Sequence, residues 1–278
     1  MPPTKTKRGA GRPTNGYYAE TGKRVPSVTT VLGRFKDPGA LMYWSWKVGY
    51  DVLLEAHEVV RDLAEDINVH NRISDTTANK IGEYLKSSPT KRANFREESS
   101  KACSAGTVAH DLVEHWIHCS TTHRSNMERS LSPEKLQRDK KVDDFVANAA
   151  YNSFRAFCRW VSLTNFELSE TEVPLVSETY RFGGTLDCIG WIDSKLVLLD
   201  WKTSNNLYAD YLLQLAAYGL LWDEHYDPPV SEYHLLRFDK KTGDFSHFST
   251  DDLENEKKAF LAMRNLYDAM KPIERRVK

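Results

Sequence analysis

The 278-residue chain contains no run of about 18 consecutive apolar residues, which excludes a transmembrane helix. Met1 to Arg12 is polar and carries Pro, with none of the apolar centre of a secretory signal, so the protein reads as soluble, intracellular and cytoplasmic. There is no CxxC pair: Cys103, Cys119, Cys158 and Cys188 are scattered. Zinc and iron–sulfur sites draw at least two ligands from one short turn, so neither is expected. A disulfide framework is not expected at this size without a secretion signal, and the cysteines read as four reduced, partly buried thiols. Charge of one sign is also missing, with 38 Lys and Arg against 39 Asp and Glu. No internal repeat or low-complexity block interrupts the chain.

With 40% hydrophobic and 28% charged residues, the chain has enough apolar material for a proper core and is not disordered. The balanced total hides an uneven distribution. Residues 1–24 carry six cations, Lys5, Lys7, Arg8, Arg12, Lys23 and Arg24, against Glu20 alone, a net of +5 ahead of a body at −6. A flexible basic arm of this kind suits either a polyanion partner or a solubility tail.

The apolar periodicity gives helices first and strands later. Ser27 is a candidate N-cap for a short helix from Val28 to Phe35, and a longer helix is predicted from about Ala40 to Asp66. Residues 67–102 are polar, with a basic segment of Lys86, Lys91, Arg92, Arg96 and Lys101. Helices follow over about Ala102 to His118 and Pro133 to Leu163. At Asn165 the period changes to that of strands, predicted over Phe166–Val176, Arg181–Ile192 and Lys195–Trp201. A helix from about Asp210 to Glu224, a strand pair over Val230–Phe238 and Phe245–Phe248, and a helix from Asp251 to Met270 close the chain. The division is therefore an arm over 1–24 and one domain over 25–278, mainly helical over 25–164 and a sheet core over 165–278.

One hairpin carries the chemistry. Asp193-Ser194 is the natural two-residue turn between Trp191-Ile192 and Leu196-Val197. That register sets Asp187 directly opposite Asp200, with Cβ atoms about 4.5–5.5 Å apart, where like charges are destabilising. Either one carboxyl is protonated or a cation lies between them, unless the register shifts and leaves a surface ion network. The two-residue period also puts Lys202 on the face of Asp200, with Trp201 turned away. Carboxylate oxygens suit a hard divalent ion, magnesium or manganese. Gly183-Gly184 leaves backbone bare where a polyanion could approach, or marks a plain β-bulge. Gln214 and Tyr218 share one face of the following helix, as site residues or as a polar fringe.

In order, Gly184-Thr185-Leu186-Asp187, Asp200-Trp201-Lys202-Thr203 and Gln214-Leu215-Ala216-Ala217-Tyr218 resemble the G-x-x-D, (D/E)-x-K and Q-x-x-x-Y motifs of the RecB-like branch of the PD-(D/E)xK nuclease superfamily. Gly106-Thr107-Val108-Ala109-His110, with Glu114 one turn on, resembles its upstream G-T-x-x-H helix. Pro26-Ser27-Val28-Thr29 resembles the opening of mitochondrial genome maintenance exonucleases and of many phage-encoded nucleases. The motifs span residues 26–218, and the iron–sulfur cysteines of some members are missing. The resemblance implies an α/β fold, a restriction-endonuclease-like core with a mixed central sheet flanked by helices, plus a helical N-terminal half. It implies Mg²⁺ or Mn²⁺ held by Asp187, Asp200, the Trp201 carbonyl and His110. Lys202 would orient or help deprotonate the attacking water and balance charge on the phosphate. Gln214 and Tyr218 would support the site, Glu172 matches a recurrent acidic position, and Glu114 is a further candidate.

The expected activity is that of a metal-dependent DNA exonuclease working on single strands or duplex ends in replication, recombination or repair, in a setting such as a virus-infected bacterium, beside other proteins of those pathways. A sequence-tolerant or flap endonuclease of the same fold is one alternative, and a catalytically silent DNA-binding scaffold is another. DNA contacts are expected at Gly183, Gly184, Thr203, Lys91, Arg92 and Arg96. Tyr43, Trp44, Trp46 and Tyr50 read first as core and second as stacking surfaces for bases.

Overall fold

The computed structural model describes residues 13–36, 39–70, 72–86, 95–204 and 206–277. Two compact units divide the chain, Met1–Lys36 with Ser104–Lys278, and Asp37–Cys103.

In the larger unit, Tyr17–Tyr18 (β1) pairs antiparallel with Arg24–Val25 (β2), a small hairpin in the stretch that composition assigned to the arm. Tyr17, Ala19 and Val25 are buried, with Val176 packed against them. Helix α1 (Val28–Arg34) starts as the sequence indicates, its Ser27 hydroxyl accepting from the Thr30 N–H at 3.0 Å. The smaller unit holds α2 (Gly39–His70), α3 (Asp75–Lys86) and the start of α4 (Phe95–His118). Helix α3 lies in the polar stretch for which periodicity gives no element. Ser74 caps it, the hydroxyl accepting from the Thr77 N–H, and Lys80 pairs with Asp62 of α2 at 2.6 Å.

The helix predicted over Pro133–Leu163 is two helices, α6 (Pro133–Lys140) and α7 (Asp144–Leu163), preceded by α5 (Thr121–Ser130). The break is local chemistry. Lys141 adopts a left-handed conformation at φ 55°, and Asp143 then caps α7 through the Val146 N–H.

Five strands form one mixed sheet in the order β3 (Glu167–Ser177), β4 (Phe182–Ile192), β5 (Lys195–Lys202), β6 (Glu232–Phe238) and β7 (Phe245–Thr250). All pairs are antiparallel except β5–β6, which is parallel and bridged by α8 (Ala209–His225). Helix α9 (Glu254–Arg275) closes the fold. Buried residues of α4, α6 and α7 form one core with Cys188, Val197, Leu199 and Trp201, while those of α1, α8 and α9 form another with Leu186, Ile189, Leu196 and Leu198. The sheet is thus covered on both faces, as in the expected restriction-endonuclease-like core. Among the described residues no helix is long and apolar enough to cross a membrane.

The β4–β5 register is the one the turn dictates. Cys188 pairs with Leu199 and Ile192 with Lys195, and Asp193 and Ser194 take φ of 48° and 66°, both left-handed as a type I′ turn requires.

Candidate active site

Along β4 the alternation fails at one point, and the site is built there. Leu186 packs with the core of α1, α8 and α9, yet Cys188, two residues on, packs with that of α4 and α7. The β3–β4 register runs on unbroken here, Val173 pairing with Leu186 and Thr171 with Cys188, so Glu172 lies opposite Asp187, and the register shift of this strand pair lies further along, between Leu168 and Glu170. Glu172 has φ 48°, a conformation that costs a non-glycine residue energy and recurs at functional sites. The change of face on β4 between Leu186 and Cys188 takes Asp187 out of the ordinary in–out pattern of a strand.

His110 of α4 completes the group. One ligand atom each from His110, Glu172 and Asp187 lies within 4.8 Å of the others. Glu172 is therefore a full member of the cluster, and Glu114 does not join it among the described residues. Gly106 lets α4 approach the end of β5, because a Cβ there would stand 3.0 Å from Thr203 Oγ1. Trp201, turned into the α4–α7 core as expected, ties the two elements together. Its indole N–H donates to His110 Nδ1 at 3.1 Å, and its backbone N–H donates to Asp187 Oδ2 at 3.3 Å. Since the indole can only donate, the neutral ring's own proton sits on Nε2, and a cation at His110 requires the indole to yield Nδ1 or the ring to turn.

Asp200 is fully buried. Its Oδ2 lies 2.5 Å from Lys202 Nζ, an ion pair, but neither oxygen makes a hydrogen bond of good geometry among the described residues. Burial raises the Asp200 pKa, Lys202 works against the rise and Asp187 adds to it, leaving it about 7. Burial acts against the Lys202 ammonium, but Asp200 and Asp187 outweigh it and the lysine pKa is raised. For His110, burial and then the Lys202 charge lower the pKa to about 4, so the imidazole is neutral at pH 7. Two carboxylates with a neutral imidazole, next to a buried carboxylate short of partners, fit a divalent cation by both donor type and charge. Lys202 Nζ also lies 5.3 Å from the Tyr211 ring centroid.

On α8, Gln214 Nε2 donates to the Tyr218 hydroxyl at 2.7 Å, both residues being buried. Burial and the charges of Asp187 and Asp200 push the Tyr218 pKa well up, so the phenol stays neutral.

The glycine pair has a different use from the expected one. A Cβ on Gly183 would stand 2.4 Å from the Tyr17 ring, and one on Gly184 would stand 2.7 Å from the Tyr218 ring. Both glycines are buried and make room for aromatic rings of the chain itself, so their backbone is not bare to a polyanion. Lys91 and Arg92 lie outside the described residues, as does the Arg96 side chain. Tyr43, Trp46 and Tyr50, first read as core, are exposed, at 65%, 60% and 44%, and neighbouring rings along α2 contact one another. The Trp44 side chain lies outside the described residues. Tyr17 is the neighbour that sequence reasoning missed: its hydroxyl is 2.8 Å from Thr185 Oγ1, two residues before Asp187. Nothing in the local sequence around Tyr17 signals that contact, which is made only in space.

Among curated proteins no sequence matches the chain. Of solved structures, an alkaline exonuclease (LHK-Exo) from Laribacter hongkongensis is 14% identical with a TM-score of 0.31, over 61% of this chain and 93% of that one. The same exonuclease in complex with dAMP gives 14% and 0.31, over 65% and 100%. The protein SSO0001 gives 16% and 0.30, over 57% and 81%. The sequence profile of the PD-(D/E)XK nuclease superfamily matches residues 83–276, a stretch that runs from before the His110 helix to the end of α9. With most of its length and its whole carboxylate hairpin inside that match, the chain belongs to the PD-(D/E)XK nuclease superfamily.

Proposed function

We propose that this nuclease is a metal-dependent DNA exonuclease of the RecB-like branch, hydrolysing phosphodiester bonds from strand ends at the cluster of His110, Glu172 and Asp187. The observation that carries the reading is the convergence of those three ligands within 4.8 Å beside the ion pair of buried Asp200 with half-buried Lys202. Superfamily members use divalent metals, and here Mg²⁺ or Mn²⁺ would be held by Glu172, Asp187, Asp200, His110 and the Trp201 carbonyl. Such an ion, when bound, polarises a phosphate oxygen and lowers the pKa of bound water.

The chain's own groups do the rest. Lys202, with its raised pKa, stays an ammonium at neutral pH. It therefore acts as a fixed cation facing the charge that develops on the phosphate, and as a donor orienting the incoming water, rather than as the base. Trp201 sets the positions of His110 and Asp187 at once. Tyr218, neutral and fixed by Gln214, supports Gly184 and the strand that carries Asp187. Work from strand ends, in replication, recombination or repair, is supported by the resemblance of Pro26-Ser27-Val28-Thr29 to the opening of exonucleases.

The test uses end-labelled linear single-stranded DNA and closed circular DNA with Mg²⁺, Mn²⁺ or EDTA, beside Asp200→Ala. Loss of linear DNA alone, dependent on metal and absent in the variant, is the expected result. Cutting of circles would replace this reading with the endonuclease, and DNA bound but uncut in every condition would leave a binding scaffold.

A further inference from the structure

A cavity of about 530 Å³ opens between the β1–β2 hairpin, the start of α1 and the last turns of α9, apart from the carboxylate site. Two cations from distant parts of the chain, Arg24 and Lys271, line it together with the hydroxyls of Ser27, Thr29 and Thr30. Arg24 has no carboxylate partner among the described residues. Its guanidinium lies over Gly16, where a Cβ would stand 3.0 Å from Nε, so the missing side chain there makes the seat for the cation. Lys271 pairs with Asp268 at 2.8 Å, but Asp268 also pairs with Arg264 at 2.7 Å, so one acid faces two cations and the wall keeps a net positive charge. A guanidinium fork and an ammonium in one concavity are the chemistry that binds phosphate oxygens, while the hydroxyls of Ser27, Thr29 and Thr30 bond one another along the wall.

The cavity is joined to the strand of the active site. Pro26 O accepts from the Gly183 N–H at 3.0 Å, and Ser27 bridges to Gly183, so this segment runs beside β4. Tyr17, on the cavity wall, reaches Thr185. Asp187 lies four residues along the strand from Gly183, about 13 Å at the rise of a β-strand. The cavity and the carboxylate site therefore lie along one strand, β4.

We infer that this cavity is a second phosphate subsite, in which Arg24 and Lys271 hold a phosphate of the substrate strand away from the scissile bond. The inference rests on the DNA-nuclease reading and adds to it the part of the surface that holds the strand. It draws on the part of the arm that lies within the described residues, since Arg24 is one of the six cations counted there.

The experiment measures binding of single-stranded oligonucleotides in EDTA across a salt series, for wild type, Arg24→Gln with Lys271→Gln, and Arg24→Lys. Both residues are exposed, so the substitutions leave the core intact, and thermal melting checks it. The double variant should bind roughly tenfold more weakly at 0.1 M salt, with a salt slope smaller by about 1, and Arg24→Lys should keep the wild-type slope. Oligonucleotides ending in 5′-phosphate, 3′-phosphate or hydroxyl separate the sources: an equal loss on all three means a backbone phosphate, and a loss confined to one means a terminal one. Inorganic phosphate as competitor reads the affinity for the bare anion. Unchanged affinity and slope in a folded double variant, with wild type still binding and cutting DNA, overturns the subsite alone. Failure of wild type to bind DNA overturns the nuclease reading and the subsite with it.

Discussion

Glu172 shows how a single residue can record a function in its backbone. A left-handed φ without glycine costs roughly 1 kcal/mol or more, and nothing in strand packing requires it. Glu172→Gly should therefore raise the urea midpoint by the equivalent of about 1 kcal/mol while abolishing cleavage, a stability gain bought at the site. A loss of stability on that substitution would mean the carboxylate serves structure. Lys202→Met should lower kcat roughly 10²- to 10³-fold with KM little changed, since its charge is set against the transition state. Asp200 gives the pH dependence. Its pKa is raised from 3.8 to about 7, so without metal the folded state binds an extra proton between those values. Stability in EDTA should accordingly fall as pH climbs from about 4 to 7, and Asp200→Asn should flatten that fall in urea titrations. Metal binding, which needs the carboxylate ionised, should strengthen across the same window.

At the scale of elements, the hairpin was legible because its turn and its register are one constraint. Two residues, Asp193 and Ser194, fix which side chains oppose, and the observed pairs from Ile192–Lys195 to Cys188–Leu199 follow from them. What the hairpin alone could not reveal is the change of face at Asp187 and the residue opposite it, because Glu172 comes from β3 and alternation read along one strand assumes no change of face. Glu172 was for that reason a weaker candidate in the sequence than it is in space. The glycine pair was misread for a similar reason: what fills the space over a glycine comes from elsewhere in the chain, here Tyr17 and Tyr218. Gly184→Ala should cost about 1–3 kcal/mol of stability through its clash with the Tyr218 ring. Ser194→Gly, at φ 66°, should instead stabilise by about 0.5–1 kcal/mol with cleavage unchanged, as urea midpoints and rates would show.

At the scale of the whole molecule, the sheet half was read almost strand for strand, and the helical half less well. Strands here are bounded by turns with strong local signatures, whereas α3, α5 and the break before α7 depend on single caps, Ser74, Ser120 and Asp143, within polar sequence. Hydrophobic periodicity is weak there, so the boundaries carry the information. The site draws on α4, β3, β4, β5 and α8, elements far apart in sequence, and only their motifs in order made the assembly visible beforehand.

The active site as described requires that His110, Glu172 and Asp187 hold a divalent ion. Mn²⁺ titration followed by electron paramagnetic resonance of the free ion, on wild type, Asp187→Asn and Glu172→Gln, tests this without relying on cleavage. Wild type should bind Mn²⁺, and each variant should bind it at least about tenfold more weakly. Equal binding by all three would contradict the site as drawn.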